Sequence, residues 1–261
     1  NGEDVEKWFE INKPTVVVLA AAKVGGIQAN NSMPADFILE NLKIQNNVIE
    51  NSWKTNVKRF LFIGSSCIYP KFAKQPIKEE YLLDGQLEKT NEFYAIAKIA
   101  GLKLCNALRN QHGFDAISLM PTNLYGPGDN YHPENSHVMA ALISKFSKAS
   151  LESRSFVECW GSGTPLREFL HVDDLGDAAL FCLENWNPNS KNSPKDEYGI
   201  ALNHLNVGTG KDISIKQLAK KIAELCEFKG EIIWDKAKPD GTPKKQLDIS
   251  KICQLGWYPK I

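Results

Sequence analysis

Short apolar runs separated by longer amphipathic stretches fill the first half of the chain. Each run is rich in β-branched or aromatic residues, which is typical of strands buried on both faces of a parallel sheet. The predicted strands are TVVVLAAA at 15–22, RFLFIGSS at 59–66 and AISLM at 116–120.

Two long helices are predicted between these strands. Over 34–56, one apolar stripe recurs at helical spacing and consists of Ile38, Leu42, Ile49 and Trp53. Residues 91–112 are rich in Ala, Ile and Leu and form the second predicted helix. The alternation of strand and helix predicts a Rossmann-like, doubly wound parallel α/β sheet, in which ligands bind at the carboxyl ends of the strands.

After about residue 130 the predicted elements become shorter. They are a strand at 156–160, a helix at 173–185, strands at 205–208 and 231–234, and a helix opened by Ser214. Gln217 follows Ser214 by three residues and completes a capping-box pattern. We therefore expect two parts, a dinucleotide-binding domain over 1–130 with crossings near 160–186, and mainly a smaller mixed α/β substrate-binding lobe over 131–261.

Composition narrows the classes of function. The 261 residues suffice for one large α/β domain or for a main domain with a smaller lobe. Lys and Arg number 31 and so do Asp and Glu, which gives no support to a nucleic-acid-binding surface. No apolar run approaches the roughly 20 residues of a membrane span. The six cysteines lack C-x-x-C and zinc spacing, so we expect free thiols, a cytoplasmic protein and no metal site.

Candidate chemistry lies at the tip of the second predicted strand, in GSSCIYP at 64–70. Tyr94 and Lys98 are four residues apart and therefore share one face of the following helix. An ammonium group beside a phenol lowers the pKa of the hydroxyl, which suits a proton donor and acceptor near neutral pH. Together with Ser65 they form a candidate catalytic set. Cys67 is either a small buried hydrophobe or a reactive thiol.

Motifs over nearly the whole chain resemble the GDP-L-fucose synthase family of the extended short-chain dehydrogenase/reductase superfamily. They are LAAAKVGGIQANN at 19–31, GSSCIYPKFAKQPIKE at 64–79, TNEFYAIAKIAGLKLC at 90–105, MPTNLYGPGDNYHPENSHV at 120–138, WGSGTPLREFLHVDDL at 160–175, NVGTG at 206–210 and KPDGTPKKQLD at 238–248. The resemblance implies NADPH-dependent 3,5-epimerisation and 4-reduction of GDP-4-keto-6-deoxy-D-mannose to GDP-L-fucose, and a homodimer.

The resemblance also implies roles for single residues. Ser65 would bind the substrate C4 oxygen, Tyr94 would protonate it, and Lys98 would lower the Tyr94 pKa and hold the nicotinamide ribose. Cys67 and His137 would be the acid/base pair that inverts C3 and C5. The implied cofactor-binding positions are Ala21, Ala22, Ile63, Gly64, Ser65, Ser66, Tyr94, Lys98, Pro121, Thr122, Asn123, Leu124 and His137. The implied substrate-binding positions are Lys145, Trp160, Arg167, Asp240 and Lys245.

Two alternatives stay open. A different sugar-nucleotide epimerase or dehydratase could use the same scaffold. However, the related dehydratases typically carry Thr-Asp-Glu at positions 65–67, and UDP-galactose 4-epimerases usually carry threonine at position 67. A non-catalytic dinucleotide-sensing protein is the second alternative, and the intact Ser65, Tyr94 and Lys98 set argues against it.

The chain departs from the family pattern at its two ends. No G-x-x-G-x-x-G turn precedes KPTVVVLAAA, and in the family this turn seats the cofactor pyrophosphate at a helix N-terminus. The closing helix of the family is also not found. We therefore expect the chain to be a fragment of a longer protein and to be inactive by itself.

Overall fold

The computed structural model describes residues 1–132, 136–238 and 240–261. The helices are α1 Gly2–Asn12, α2 Ile27–Ser32, α3 Pro34–Lys54, α4 Glu92–His112, α5 Val138–Leu151, α6 Val172–Asn185, α7 Ile215–Leu225 and α8 Ser250–Leu255. The strands are β1 Val16–Leu19, β2 Arg59–Ile63, β3 Ala116–Pro121, β4 Asn123–Tyr125, β5 Phe156–Trp160, β6 Leu166–His171, β7 His204–Val207, β8 Asp212–Ser214, β9 Glu231–Asp235 and β10 Lys244–Lys245.

The predicted parallel sheet is confirmed, with strand order β1-β2-β3-β7 and every pair parallel. Side chains alternate between its two faces along β2, as the pleat of a strand requires. Phe60 and Phe62 pack in one core with residues of α3 and α4. Leu61 packs in a second core with residues of α6 and α8. Helices therefore cover both faces, and the sheet is doubly wound.

The first strand is shorter and more exposed than predicted. It spans four residues and pairs with β2 along one edge. Val17 packs into the core beside α3, whereas Val16 and Val18 on the opposite face are 49% and 46% exposed. The expectation of burial on both faces is wrong here, because β1 is an edge strand within the described residues.

The buried face of α3 includes polar residues that an apolar stripe does not reveal. Asn41 donates to the carbonyl of Phe37 at 2.7 Å and accepts from the backbone N–H of Lys23 at 3.0 Å. Gln45 donates to the carbonyl of Ala97 at 2.6 Å and so ties α3 to α4. Of the predicted stripe, Ile49 is buried, and the other members are only half-buried: Ile38, Leu42 and Trp53.

The second half of the chain adds two small sheets. One has the order β10-β6-β4 with β8 antiparallel to β6, and the other pairs β5 with β9. The predicted start of α7 is confirmed, because Ser214 and Gln217 form a capping box. β7 joins the main sheet beside β3, so one strand from beyond residue 130 contributes to that sheet. Within the described residues, no helix is both long and apolar enough to cross a membrane.

Candidate active site

The tip of β2 places Ser65 and Cys67 side by side. The N–H of Gly64 donates to the carbonyl of Leu119 in β3 at 2.8 Å, and a Cβ at this glycine would collide with the Met120 side chain. Ser65 then caps a short 3-10 turn over Ser66–Ile68, and its hydroxyl accepts from the Cys67 N–H at 3.2 Å. The close approach of two strands and this cap therefore fix the position of the thiol.

Helix α4 presents Tyr94 and Lys98 to the same tip, as their spacing predicts. The Lys98 ammonium donates to the carbonyl of Ile63 at 2.9 Å, and the hydroxyl of Ser65 hydrogen-bonds the Tyr94 phenol. Lys98 is 3% exposed, and its burial lowers its pKa to about 8. The structure thus brings the predicted serine, tyrosine and lysine together.

The pKa of Tyr94 differs from the sequence expectation. Burial raises it, the negative charge of the Cys67 thiolate raises it further, and the hydrogen bond with Ser65 lowers it in part. The expected lowering by Lys98 is wrong for this structure, because the ammonium lies 6.0 Å from the centre of the Tyr94 ring and donates to a backbone carbonyl instead. The phenol therefore keeps its proton near neutral pH and can give it only to a stronger base, such as an alkoxide.

Two donors from distant parts of the chain converge on the Cys67 sulfur. Asn91 Nδ2 lies 3.3 Å from Sγ, and Lys245 Nζ lies 3.4 Å from it. Burial opposes ionisation of the thiol, yet the charge and hydrogen bond of Lys245, the hydrogen bond with Ser65 and the charge of Arg167 outweigh it. The pKa of Cys67 is therefore lowered.

Lys245 and Arg167 are neighbours because β10 pairs in parallel with β6 and sets them opposite each other. Burial lowers the pKa of Arg167, while the negative charges of Cys67, Glu88 and Asp240 act in the opposite direction. An Arg167 guanidinium N–H also donates to the Asp240 carbonyl at 3.4 Å. Lys245 and Arg167 form a cationic pair next to the thiol.

His137 is the N-cap residue of α5, where its carbonyl accepts from the Ala141 N–H at 2.9 Å. Its side chain reaches the surface, but the protein around the ring still disfavours the charged form. This desolvation lowers the His137 pKa, Asp129 raises it, and Lys245 lowers it. The charge of Lys245 thus lowers the pKa of both predicted acid/base residues, His137 and Cys67.

The remaining predicted cofactor positions lie at the carboxyl ends of neighbouring strands. Pro121–Leu124 continue from β3, where the Thr122 hydroxyl and the Asn123 amide both donate to the carbonyl of Glu168, at 3.1 and 2.8 Å. Ile63 ends β2 and Ser66 is buried just beyond it. Ala21 and Ala22 follow β1, one strand away from β2 at the same edge.

The other predicted substrate residues, Lys145, Trp160 and Asp240, form a second group next to this cationic pair. The Trp160 ring is 44% exposed and has two ammonium groups near it, with Lys145 at 5.4 Å and Lys238 at 5.2 Å from its centre. Asp240 accepts from the N–H and the hydroxyl of Ser162 at 2.7 and 2.8 Å. Asp240 therefore joins the end of β5 to Arg167.

Sequence reasoning missed two residues that shape this site. Asn91 stands within a matching motif, three residues before Tyr94, but its type and position alone indicate only the start of a helix. Glu168 is fully buried in β6 and accepts from the N–H groups of Thr209, Gly210 and Leu247 at 2.6, 2.7 and 2.8 Å. It thereby anchors the segment that carries Lys245. Charged residues are rarely buried without such partners, and the partners of Glu168 are far from it in sequence. The only sequence signal for its burial was the apolar residues around it.

Comparison with known proteins supplies the family. A family model described as the NAD dependent epimerase/dehydratase family matches residues 1–201. The chain belongs to this family. It is similar to a probable GDP-L-fucose synthase 1 of Oryza sativa subsp. japonica, with 56% identity over 99% of this chain and 75% of the relative.

Two further proteins are similar to this chain. The GDP-L-fucose synthase of Escherichia coli (strain K12) is 51% identical over 98% of this chain and 79% of its own length. Among solved structures, MlghC, a GDP-mannoheptose C4 reductase from Campylobacter jejuni with NADP bound, has a TM-score of 0.86 and 39% identity. That alignment covers 100% of this chain and 81% of the other. The names of all three proteins refer to GDP-linked sugars.

Proposed function

We propose that the protein is an NADPH-dependent GDP-L-fucose synthase, which inverts C3 and C5 of GDP-4-keto-6-deoxy-D-mannose and reduces its C4 ketone. One observation carries this proposal: the Cys67 thiol lies at the same strand tip as the Ser65, Tyr94 and Lys98 set, with two donors on its sulfur. The set suits reduction of a ketone, and the added thiolate suits exchange of the protons beside it.

The epimerase step uses Cys67 and His137. C3 and C5 flank the C4 ketone, so loss of a proton from either carbon gives an enolate. The Cys67 thiolate removes the proton, and His137 returns one to the opposite face of the ring. Cys67 is suited to removing the proton near neutral pH, because the pKa of its thiol is lowered. The pKa of His137 is lowered as well, so the imidazole is mostly neutral at rest and has to take up a proton before it can return one to the ring. The net result is inversion without any oxidant.

The reductase step uses Ser65, Tyr94 and Lys98. NADPH, when bound, supplies the hydride to C4. Ser65 holds the C4 oxygen and Tyr94 gives it the phenolic proton, so the ketone becomes an alcohol. The donor set fits such a cofactor, because the buried Lys98 ammonium has three N–H groups and donates one to Ile63, leaving others suited to ribose hydroxyls.

The GDP portion is assigned to Lys145, Trp160 and Arg167, with Asp240 and Lys245 beside them. The half-exposed Trp160 ring offers an aromatic surface close to two cations, Lys145 and Lys238. Arg167 suits a diphosphate because its guanidinium can bind two oxygens at once. The cofactor positions at the ends of β1, β2 and β3 lie on the neighbouring edge of the main sheet.

The decisive assay follows NADPH absorbance and the ring configuration of the product by NMR. The full-length protein as encoded is incubated with GDP-4-keto-6-deoxy-D-mannose and NADPH. Consumption of NADPH with inversion at C3 and C5 is expected, and no consumption would refute the proposal. Consumption without inversion would favour a C4 reductase, the activity named for the Campylobacter neighbour. Binding of NADPH without turnover would favour a dinucleotide sensor.

Three further features belong to the same proposal. We assign residues 131–261 mainly to substrate binding, because all five proposed substrate-binding residues lie there: Lys145, Trp160, Arg167, Asp240 and Lys245. We assign the protein to the cytoplasm, in keeping with six free cysteines. We also propose a homodimer formed through α3 and α4, whose exposed faces carry three apolar residues: Leu39, Phe93 and Ile96. Sedimentation of a stable monomer at micromolar concentration would exclude the dimer.

A further inference from the structure

The sulfur of Cys67 is surrounded by donors that a neutral thiol does not require. A thiol is only a weak hydrogen-bond acceptor. Yet Asn91 Nδ2 and Lys245 Nζ approach Sγ to 3.3 and 3.4 Å from elements that are far apart in sequence. Asn91 is the N-cap residue of α4, but its side chain makes no capping hydrogen bond. Its amide is therefore available for the sulfur.

The charges that face the sulfur are mostly positive. Lys245 from β10 and Arg167 from β6 lie on one side, and the carboxylates of Glu88 and Asp240 act on Arg167 rather than on the thiol. Tyr94 from α4 interacts electrostatically with the thiolate but is itself an uncharged phenol, because its pKa is raised.

The lysine next in sequence points elsewhere. Successive side chains of a strand lie on opposite faces, and the Lys244 ammonium pairs with Asp212 at 3.3 Å. Only one of the two adjacent lysines therefore reaches the thiol, and the other provides a matched control.

We propose that Lys245 and Asn91 are positioning residues that hold the Cys67 side chain as a thiolate before substrate binds. This role differs from a substrate contact, because it acts on the resting protein. The use of such a thiolate rests on the epimerase part of the proposed function. The geometry around Cys67, however, is independent of any substrate.

The test measures alkylation of Cys67 by iodoacetamide against pH in the ligand-free, full-length protein, with the Cys67 peptide quantified by mass spectrometry. Removing an opposite charge at this range, as in Lys245→Met, is expected to slow alkylation at pH 7 by about tenfold and to move the inflection to higher pH. Lys245→Arg should retain most of the rate, and Lys244→Met should match the unmodified protein. An unchanged profile for a folded Lys245→Met protein would overturn the proposal.

A second variant keeps the test decisive if Lys245→Met fails to fold. Asn91→Ala loses no helix cap and is expected to slow alkylation at pH 7 by a few-fold, whereas an unchanged profile would count against the proposal. Deuterium exchange at C3 and C5 separates this inference from the proposed function. Altered alkylation without exchange in the unmodified protein would refute the epimerase but support the thiolate. Normal exchange in the unmodified protein together with an unaltered alkylation profile for Lys245→Met would support the epimerase but refute the proposed role of Lys245.

Discussion

Replacing Glu79 with Gln tests whether one buried carboxyl group sets the pH dependence of stability. Glu79 is 1% exposed, and its Oε1 accepts from the backbone N–H of Asn206 at 2.9 Å. Its Oε2 has no hydrogen-bond partner among the described residues. The Asn206 side chain in turn accepts from the Tyr69 hydroxyl at 2.6 Å, two residues beyond Cys67. A buried carboxyl group with an unmatched oxygen favours its protonated form.

The magnitude follows from the pKa of this group. Burial raises the pKa of Glu79 from 4.5 to about 7. Hydrogen bonds from backbone N–H groups lower this pKa in part, and the neighbouring carboxylates of Asp248 and Glu80 raise it further. Between these two values the folded state binds more protons than the unfolded state, so stability falls as the pH rises. The loss from pH 4.5 to above 7 amounts to about 3 kcal/mol.

The assay is urea unfolding followed by fluorescence from pH 4.5 to 8. Glu79→Gln keeps an oxygen for the Asn206 N–H but cannot ionise, so its stability relative to the unmodified protein should increase by about 3 kcal/mol across this range. His204, whose burial lowers its pKa to about 4, weakens both proteins alike as the pH falls below 6.5 and cancels in the difference. Glu224→Gln is the control variant, because it removes the same single negative charge at an exposed position. Its pH profile gives the effect of the change in net charge alone. Parallel pH profiles would refute the reasoning.

Three further outcomes are expected. Cys67→Ser should slow deuterium exchange at C3 and C5 by about 10²- to 10⁴-fold and C4 reduction far less, and an equal loss of both would contradict the separate role of the thiol. Tyr94→Phe should slow C4 reduction by a similar factor while exchange, read by NMR, continues; loss of exchange as well would count against it. Glu168→Ala leaves three backbone N–H groups without their acceptor and should lower the free energy of unfolding by about 3 kcal/mol or more. A loss below about 1 kcal/mol in urea unfolding would show that water replaces the carboxylate.

Much of the fold was predictable because hydrophobic periodicity reports burial. The parallel sheet and the long helices α3 and α4 follow from that pattern. It failed where burial depends on the neighbouring elements, as at β1, whose outer face is half exposed. It also failed where a buried polar side chain is matched by a backbone group, as Gln45 is by the carbonyl of Ala97.

The candidate site shows the same division. Tyr94 and Lys98 are close in sequence, so their shared helix face was predictable. The contact between Cys67 and Lys245 depends on a two-residue strand pairing and has no local sequence pattern. The raised pKa of Tyr94 was not predictable either, since it depends on burial and on the thiolate rather than on the nearby lysine.

The separation of Cys67 from Lys245 has a consequence for biosynthesis. The lysine follows the cysteine by 178 residues, so a ribosome exposes the thiol on the order of ten seconds or more before the ammonium that faces it. During that interval the nascent chain carries an ordinary thiol, which reacts slowly with electrophiles and oxidants. The thiol therefore gains its neighbouring ammonium group only when β10 docks beside β6, late in the assembly of the chain.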